Sequence, residues 1–288
     1  MRISLFCLLS VLVSGCTQLF FYPSRLLFDS PEQHGITYQK EYFQSADGVA
    51  LNAWFLPAQG EDKNGQDILA KASVLFLHGN AENISTHFRN VMWMPAEGFN
   101  VLALDYRGYG ASDGAPDLKG MQLDIDAAMR HLIEHKGVDP DRIIVLGQSL
   151  GGALAIYYVA HSAYRSNIRA VVIDSAFYDY RQIAREKLAQ SILTWPFQWL
   201  PWLVIDNDYS PADSVASISP LPLLFIQGDQ DAVVPLHDSL QLYERALEPK
   251  DRWIVHGAGH VQSLNNEDIR RKLVEFIMRN VSTQSSAR

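Results

Sequence analysis

Ser149 lies in Gly147-Gln148-Ser149-Leu150-Gly151-Gly152, between an apolar run at 142–146 and a helix-like stretch at 153–160. A serine hydroxyl is a poor nucleophile until a base removes its proton, so its chemistry depends on what else the chain brings to it. The G-x-S-x-G spacing alone is a weak signal, and the strand–turn–helix setting is what strengthens it. Glycines two before and two after would let strand and helix approach around a serine held in a strained turn. That turn also puts Ser149 at a helix N-terminus, where backbone N–H groups favour developing negative charge.

The base is read as His260, in Val255-His256-Gly257-Ala258-Gly259-His260. His256 competes, but it is nearly in register with the preceding strand, whereas His260 lies beyond two glycines in a loop free to reach the sheet edge. An acid that orients the imidazole should follow the strand before. There, Gly228-Asp229-Gln230-Asp231 offers two carboxylates. Asp231 is the expected acid; Asp229, suited to bracing the turn, is the alternative. His78-Gly79-Asn80-Ala81 follows the apolar run 74–77, so the Asn80 N–H, with that of Leu150, could hold an oxyanion. His78 is read as a brace for this loop. Attack of the serine on a carbonyl would require no metal and no organic cofactor.

Other signals are set aside. His131-Leu132-Ile133-Glu134-His135 matches a zinc-protease spacing. Met121, Ile125, Ala128, Met129 and Leu132 form that helix's apolar stripe, which assigns both histidines, with Asp124 and Glu134, to a solvated face. Gly108-x-Gly110 lacks the third glycine of a dinucleotide loop, and no phosphate-binding P-loop is present. A net charge of −8 without any basic run excludes non-specific nucleic-acid binding.

From residue 36 the chain alternates strand-like and helix-like segments, the pattern of an α/β domain built on a mostly parallel sheet. Two strands flank the turn Ala46-Asp47-Gly48. Short apolar runs follow at 73–77, 100–104, 142–146, 170–173, 221–226 and 252–255. Helices are expected over 84–97, 118–136, 150–163, 237–247 and 266–280, and a polar loop over 59–65. An insert at about 176–215 breaks the rhythm and holds Trp195, Phe197, Trp199 and Trp202. It reads either as a lid over the site or as an extra helix pair packed on the core.

The N-terminus carries a different message. Met1-Arg2 and the apolar run 3–13 form a charged start and a core of about a dozen residues, too short to span a bilayer of roughly 30 Å. Val13-Ser14-Gly15-Cys16 then resembles the lipobox of bacterial lipoproteins; a plain secretory signal or a short buried helix is the alternative. The resemblance implies a signal peptide over 1–15 and cleavage before Cys16. Acylation of Cys16, by palmitate or a similar chain, would then anchor the protein to a membrane. Thr17 after the cysteine resembles the pattern that directs lipoproteins to the outer membrane, facing the periplasm. Residues 16–35 would be the tether and 281–288 a polar tail. The aromatics of 17–30 could lie in the membrane interface or pack against the domain.

Taken together, His78-Gly79-Asn80-Ala81, Asp105-Tyr106-Arg107-Gly108-Tyr109-Gly110, the Ser149 turn, Gly228-x-x-Asp231-x-x-Val234-Pro235 and Gly259-His260 occur in order. They resemble the serine aminopeptidase-like group of the alpha/beta-hydrolase family over residues 36–280. That resemblance implies the α/β-hydrolase fold with a helical lid, structural roles for Asp105 and Arg107, and a serine hydrolase acting on esters or thioesters. With the anchor, acyl-bearing substrates near a membrane are expected. A serine peptidase or amidase of the same fold, or an inactive binding lipoprotein, are the rival readings.

Overall fold

Apolar runs rich in β-branched residues and bounded by polar turns are built to pair as buried strands. In the computed structural model, which describes residues 20–60 and 69–282, eight of them form one sheet. They are β1 (Gln39–Gln44), β2 (Ala50–Leu56), β3 (Ala72–Leu77), β4 (Phe99–Asp105), β5 (Ile143–Gln148), β6 (Ile168–Asp174), β7 (Leu223–Gly228) and β8 (Lys250–Val255). Their order across the sheet is β8-β7-β6-β5-β3-β4-β2-β1. β2 runs antiparallel to both its neighbours, and all other pairs are parallel.

Side chains alternate between the two faces of each strand. In β3, Leu75 and Leu77 enter one core while Val74 and Phe76 enter the other. The first core is closed by α1 (Leu118–Glu134), α2 (Leu150–His161) and α4 (Leu236–Arg245), the second by α5 (Glu267–Ser282) and the turns around Phe88. Helices therefore cover both faces of a mostly parallel sheet, as expected of the α/β-hydrolase fold. Because the parallel strands share one direction, the loops after β3, β5, β6, β7 and β8 gather at one edge.

Two expectations need correction. Residues 84–97 do not form one helix: a single turn at Ile84–His87 gives way to 3₁₀ turns at Phe88–Asn90 and Pro95–Glu97. The Trp93 indole takes the Asn90 carbonyl at 2.9 Å, and Pro95 has no N–H to continue a helix. The histidine face of α1 is solvated only in part: Glu134 is exposed, but the other three residues assigned to it are covered. His131 stacks on Phe43 at 4.5 Å and His135 on Phe55 at 4.0 Å, both facing Glu41. Asp124 is fully buried and holds Arg107 at 2.8 Å. The neighbouring β1–β2 hairpin covers this flank.

Between β6 and β7 the insert carries α3 (Tyr180–Ala189) and short turns at Trp195–Phe197, Pro201–Val204 and Pro211–Ser214. Each turn has a proline in its first two positions, where a missing N–H costs nothing. Among the described residues no helix is long and apolar enough to cross a membrane. Residues 1–15, Cys16 and most of the 59–65 loop and the tail lie outside the described residues.

Candidate active site

Ser149 follows β5 and opens α2 with φ 54° and ψ −117°, a left-handed conformation that a side chain resists. A Cβ on Gly147 would overlap the Gly151 carbonyl, and one on Gly151 the Leu77 carbonyl. Both glycines are therefore required for the turn to close. Among the described residues, the non-glycine positions with positive φ are Glu82, Ser149, Ser175 and Val261. All four lie in loops after β3, β5, β6 and β8, so backbone strain is concentrated at the edge that holds the serine.

At that edge the structure brings together the three side chains singled out in the sequence. Ser149 Oγ is 3.0 Å from His260 Nε2, and His260 Nδ1 is 2.8 Å from Asp231 Oδ2. The Asp231 carboxylate is fully engaged. Its Oδ1 accepts the Val233 and Val234 amides at 2.8 Å each, and its Oδ2 also accepts Gln227 Nε2 at 3.0 Å. Burial raises this carboxyl, but the hydrogen bonds and the charge of His260 outweigh it and hold Asp231 below its ordinary range. Asp229 instead faces outward, where it holds His256 Nδ1 at 2.8 Å and the Gly257 amide at 2.8 Å. The bracing role expected of Asp229 is the one it occupies.

Leu150 N opens α2 beside the serine, and Asn80 lies in the loop after β3. Neither amide donates to an acceptor among the described residues. The Asn80 loop is fastened from several sides: Tyr109 Oη donates to Asn80 O and to Oδ1, both at 2.9 Å. His78 is wholly buried beside it, its Nδ1 2.7 Å from Gly79 O, and its own carbonyl accepts Tyr106 Oη at 3.0 Å. Burial drives the His78 imidazole far below its ordinary pKa, so it stays neutral. Asp105 is raised to about 6 by burial while accepting the Ile84 amide and Asn52 Nδ2 at 2.9 Å each. With Arg107 clamped between Asp124 and Asp47, these residues hold loops together.

Several supports had no signature in the sequence. Ser175 Oγ accepts the Val261 amide at 3.3 Å and so pins the histidine loop. Gln227, next to last in β7, reads like any other buried polar residue, and only the folded chain shows it bound to Asp231. The N-terminal segment is tied to the Asn80 loop. Asn80 Nδ2 donates to Phe20 O at 2.7 Å, Tyr22 N donates to Asn80 Oδ1 at 3.3 Å, and Tyr22–Pro23 pairs with Ala81–Glu82. Both readings of this segment find residues in it: Phe21 is buried, whereas Tyr22, Leu26 and Leu27 are about two-thirds exposed.

The insert crosses the same region. Tyr180, at one end of α3, lies 5.9 Å ring to ring from Phe20. Near its other end, Glu186 Oε1 is 2.8 Å from His237 Nε2, just past the Asp231 loop. Burial depresses Lys187, and the nearby charge of Asp231 partly offsets this. α3 therefore runs from Phe20, which Asn80 holds, to the helix that follows the Asp231 loop.

Similarity to known proteins agrees with the fold. The family model described as serine aminopeptidase, S33, matches residues 69–219, a span that includes Asn80, Ser149 and α3. The protein YfhR of Escherichia coli is 33% identical over 269 residues, covering 92% of this chain and 88% of YfhR. WAV2 of Arabidopsis thaliana, an alpha/beta hydrolase domain-containing protein, is 31% identical over 232 residues, covering 75% of this chain and 69% of its own. Among solved structures, the Pyrococcus furiosus esterase Pf2001 superposes with a TM-score of 0.71 at 24% identity, covering 91% of this chain and 98% of that one. By fold, family match and relatives, the chain belongs to the serine aminopeptidase S33 family of α/β-hydrolases and is a hydrolase.

Proposed function

We propose that this chain is a membrane-anchored serine hydrolase that cleaves carboxylic esters or thioesters through an acyl-enzyme, with Ser149 as nucleophile, His260 as base and Asp231 as the acid that orients it. The reading rests on the unbroken hydrogen-bond chain from Ser149 Oγ through His260 to Asp231 Oδ2. His260 Nε2 takes the hydroxyl proton as Oγ bonds to the substrate carbonyl carbon. The carbonyl electron pair moves to oxygen, where the Asn80 and Leu150 amides and the α2 N-terminus stabilise the charge. The tetrahedral adduct collapses by breaking the bond to the leaving group, which receives the proton from His260. Water, deprotonated by His260, then attacks the acyl-enzyme and releases the acid. Asp231 keeps the imidazole in the tautomer whose Nε2 can accept, and stabilises the cation that forms.

The proposed anchor is Cys16, acylated after cleavage of residues 1–15, with the protein on the periplasmic face of the outer membrane. The ester reading is supported by the esterase activity named for the structural neighbour from Pyrococcus. The family description names an aminopeptidase instead, so peptide or amide cleavage is the second reading. A fluorophosphonate probe tests the nucleophile. Wild type should label and Ser149→Ala should not, with turnover falling by about 10⁴-fold or more. Equal labelling of both would sink the assignment. Acyl p-nitrophenyl esters of graded length, run beside aminoacyl amides, separate the two readings, and faster ester cleavage is expected.

A further inference from the structure

The insert presents an apolar surface with an unusual polar economy. Residues 192–205 run for fourteen positions without a charged side chain. Ile192, Leu193, Trp195, Trp199, Trp202 and Leu203 are 53 to 91% exposed. The two polar side chains in this stretch are satisfied locally: Thr194 Oγ1 donates to Leu188 O at 2.8 Å and Gln198 Nε2 to Trp195 O at 3.0 Å. A protein partner ordinarily exchanges roughly one hydrogen bond per 100–200 Å² of interface. This surface offers tryptophan and aliphatic side chains and asks for little polar pairing, which suits the bilayer interface, where indole rings concentrate.

The described chain links that surface to Phe20, four residues after the proposed anchor. Arg181 donates to Ile205 O at 3.0 Å and lies 5.9 Å from the Trp202 ring, which folds the end of the stretch back onto the start of α3. Tyr180, the adjacent residue, packs on Phe20 at 5.9 Å, and Phe177 does so at 6.3 Å. Cys16 precedes Phe20 by four residues, a reach of at most about 14 Å. A lipid on Cys16 would hold the bilayer within that distance of the residue that touches the insert.

We propose that the tryptophan-bearing surface of the insert rests on the lipid bilayer, so that the Ser149 site takes its acyl substrate from the membrane. This rests on the anchored-hydrolase reading above and adds a second, orienting contact to the anchor. Because α3 runs from Phe20 to the helix that follows the Asp231 loop, seating its distal turns in the interface turns the site toward lipid. A tether alone would leave the orientation of the domain undefined, and the insert supplies the contact that fixes it.

The test uses the full lipidated protein in vesicles of phosphatidylethanolamine and phosphatidylglycerol, with and without brominated acyl chains. Bromolipid should quench the tryptophan emission of wild type, and Trp195→Ser/Trp199→Ser/Trp202→Ser should lose that quenching. The triple variant should keep its rate on a water-soluble short-chain ester within about twofold, yet lose about tenfold or more on a vesicle-embedded acyl ester. Emission unchanged by bromolipid, or cross-linking of two copies through the insert, overturns the proposal. Equal rates of variant and wild type on the embedded ester overturn it as well. If wild type neither labels with fluorophosphonate nor cleaves the soluble ester, the hydrolase reading fails, while quenching still decides the bilayer contact. A mature chain whose mass lacks acyl groups refutes the anchor and overturns the proposal that rests on it.

Discussion

Two aspartate–histidine pairs leave the same two loops, and only one of them reaches the serine. Asp231 and His260 meet at 2.8 Å, and so do Asp229 and His256. Their surroundings differ. The Asp231 side chain is fully buried and that of His260 20% exposed, whereas Asp229 and His256 are 24% and 88% exposed. Asp231 accepts two backbone amides and a glutamine besides the imidazole, and Asp229 accepts one amide. Above all, the free nitrogen of His260 faces Ser149 Oγ, and the ring of His256 projects into solvent. Asp–His distance is therefore no measure of function: the third partner, and the shell that fixes the carboxylate, set the two pairs apart.

The largest effect within this comparison belongs to Asp231. In Asp231→Asn the amide can still accept from Val233 or Val234, but its NH₂ group would face His260 and favour the tautomer with Nε2 protonated. That tautomer cannot take the proton of Ser149. Turnover should fall on the order of 10³–10⁴-fold with the protein still folded, measured as kcat on a short ester beside circular dichroism. A loss of less than about tenfold would mean that the inner pair is not the one that works.

Local pattern carries the fold and the serine turn, and loop position favours Asp231 and His260 over their neighbours, but the contacts that fix the choice are not local. The apolar runs and the turn glycines are short-range signals, and the sheet and the Ser149 turn follow them closely. Asp229 and Asp231 both lie past the end of β7, and the sequence ranks Asp231 first without showing what turns its carboxylate inward. That is decided by Gln227 and the amides of Val233 and Val234, whose positions depend on the closed loop. The same limit hides the Asn80 clamp, which joins Phe20 and Tyr22 to a loop about sixty positions later. It also hides the flank of α1, where Phe43 and Phe55 cover two histidines that the helix period alone exposes.

A third aspartate beside a histidine separates burial from connectivity. Asp238 is as buried as Asp231, but its neighbours are His237, 3.7 Å away, and Glu186, and no serine follows. Burial, with the charge of Glu186 adding to it, raises Asp238 to about 7 despite the amide of Tyr178 at 2.7 Å. A native carboxyl raised above its unfolded value of 3.8 binds its proton more tightly in the folded state. Its contribution to stability is full below about pH 4 and is lost as pH rises through about 7. Asp238→Asn, which resembles the protonated form, should match wild type in Tm at pH 4 and exceed it by several degrees at pH 8. A difference that does not change with pH would remove Asp238 as the titrating group. Turnover should move far less than in Asp231→Asn, since the hydrogen-bond partners of the Asp238 carboxylate among the described residues are Tyr178 N and Gln182 Nε2, not the serine or His260.

The smallest effect is the most discriminating. Asp229→Asn leaves the outer pair with an amide in place of the carboxylate, and His256 is so exposed that water replaces whatever bond is lost. Asp229 is held below its ordinary pKa chiefly by the His256 hydrogen bond and then by the Gly257 amide, and that amide can still donate to the asparagine carbonyl oxygen. The 256–259 turn that leads to His260 is therefore retained. Turnover should stay within about twofold of wild type, and so should that of His256→Ala, because water screens a pair this exposed and takes over its hydrogen bonds. A loss approaching that of Asp231→Asn would show that the outer pair sets the position of His260 through the intervening glycines. The two pairs would then act as one unit, and the double variant Asp229→Asn/Asp231→Asn would lose less than the product of the single losses.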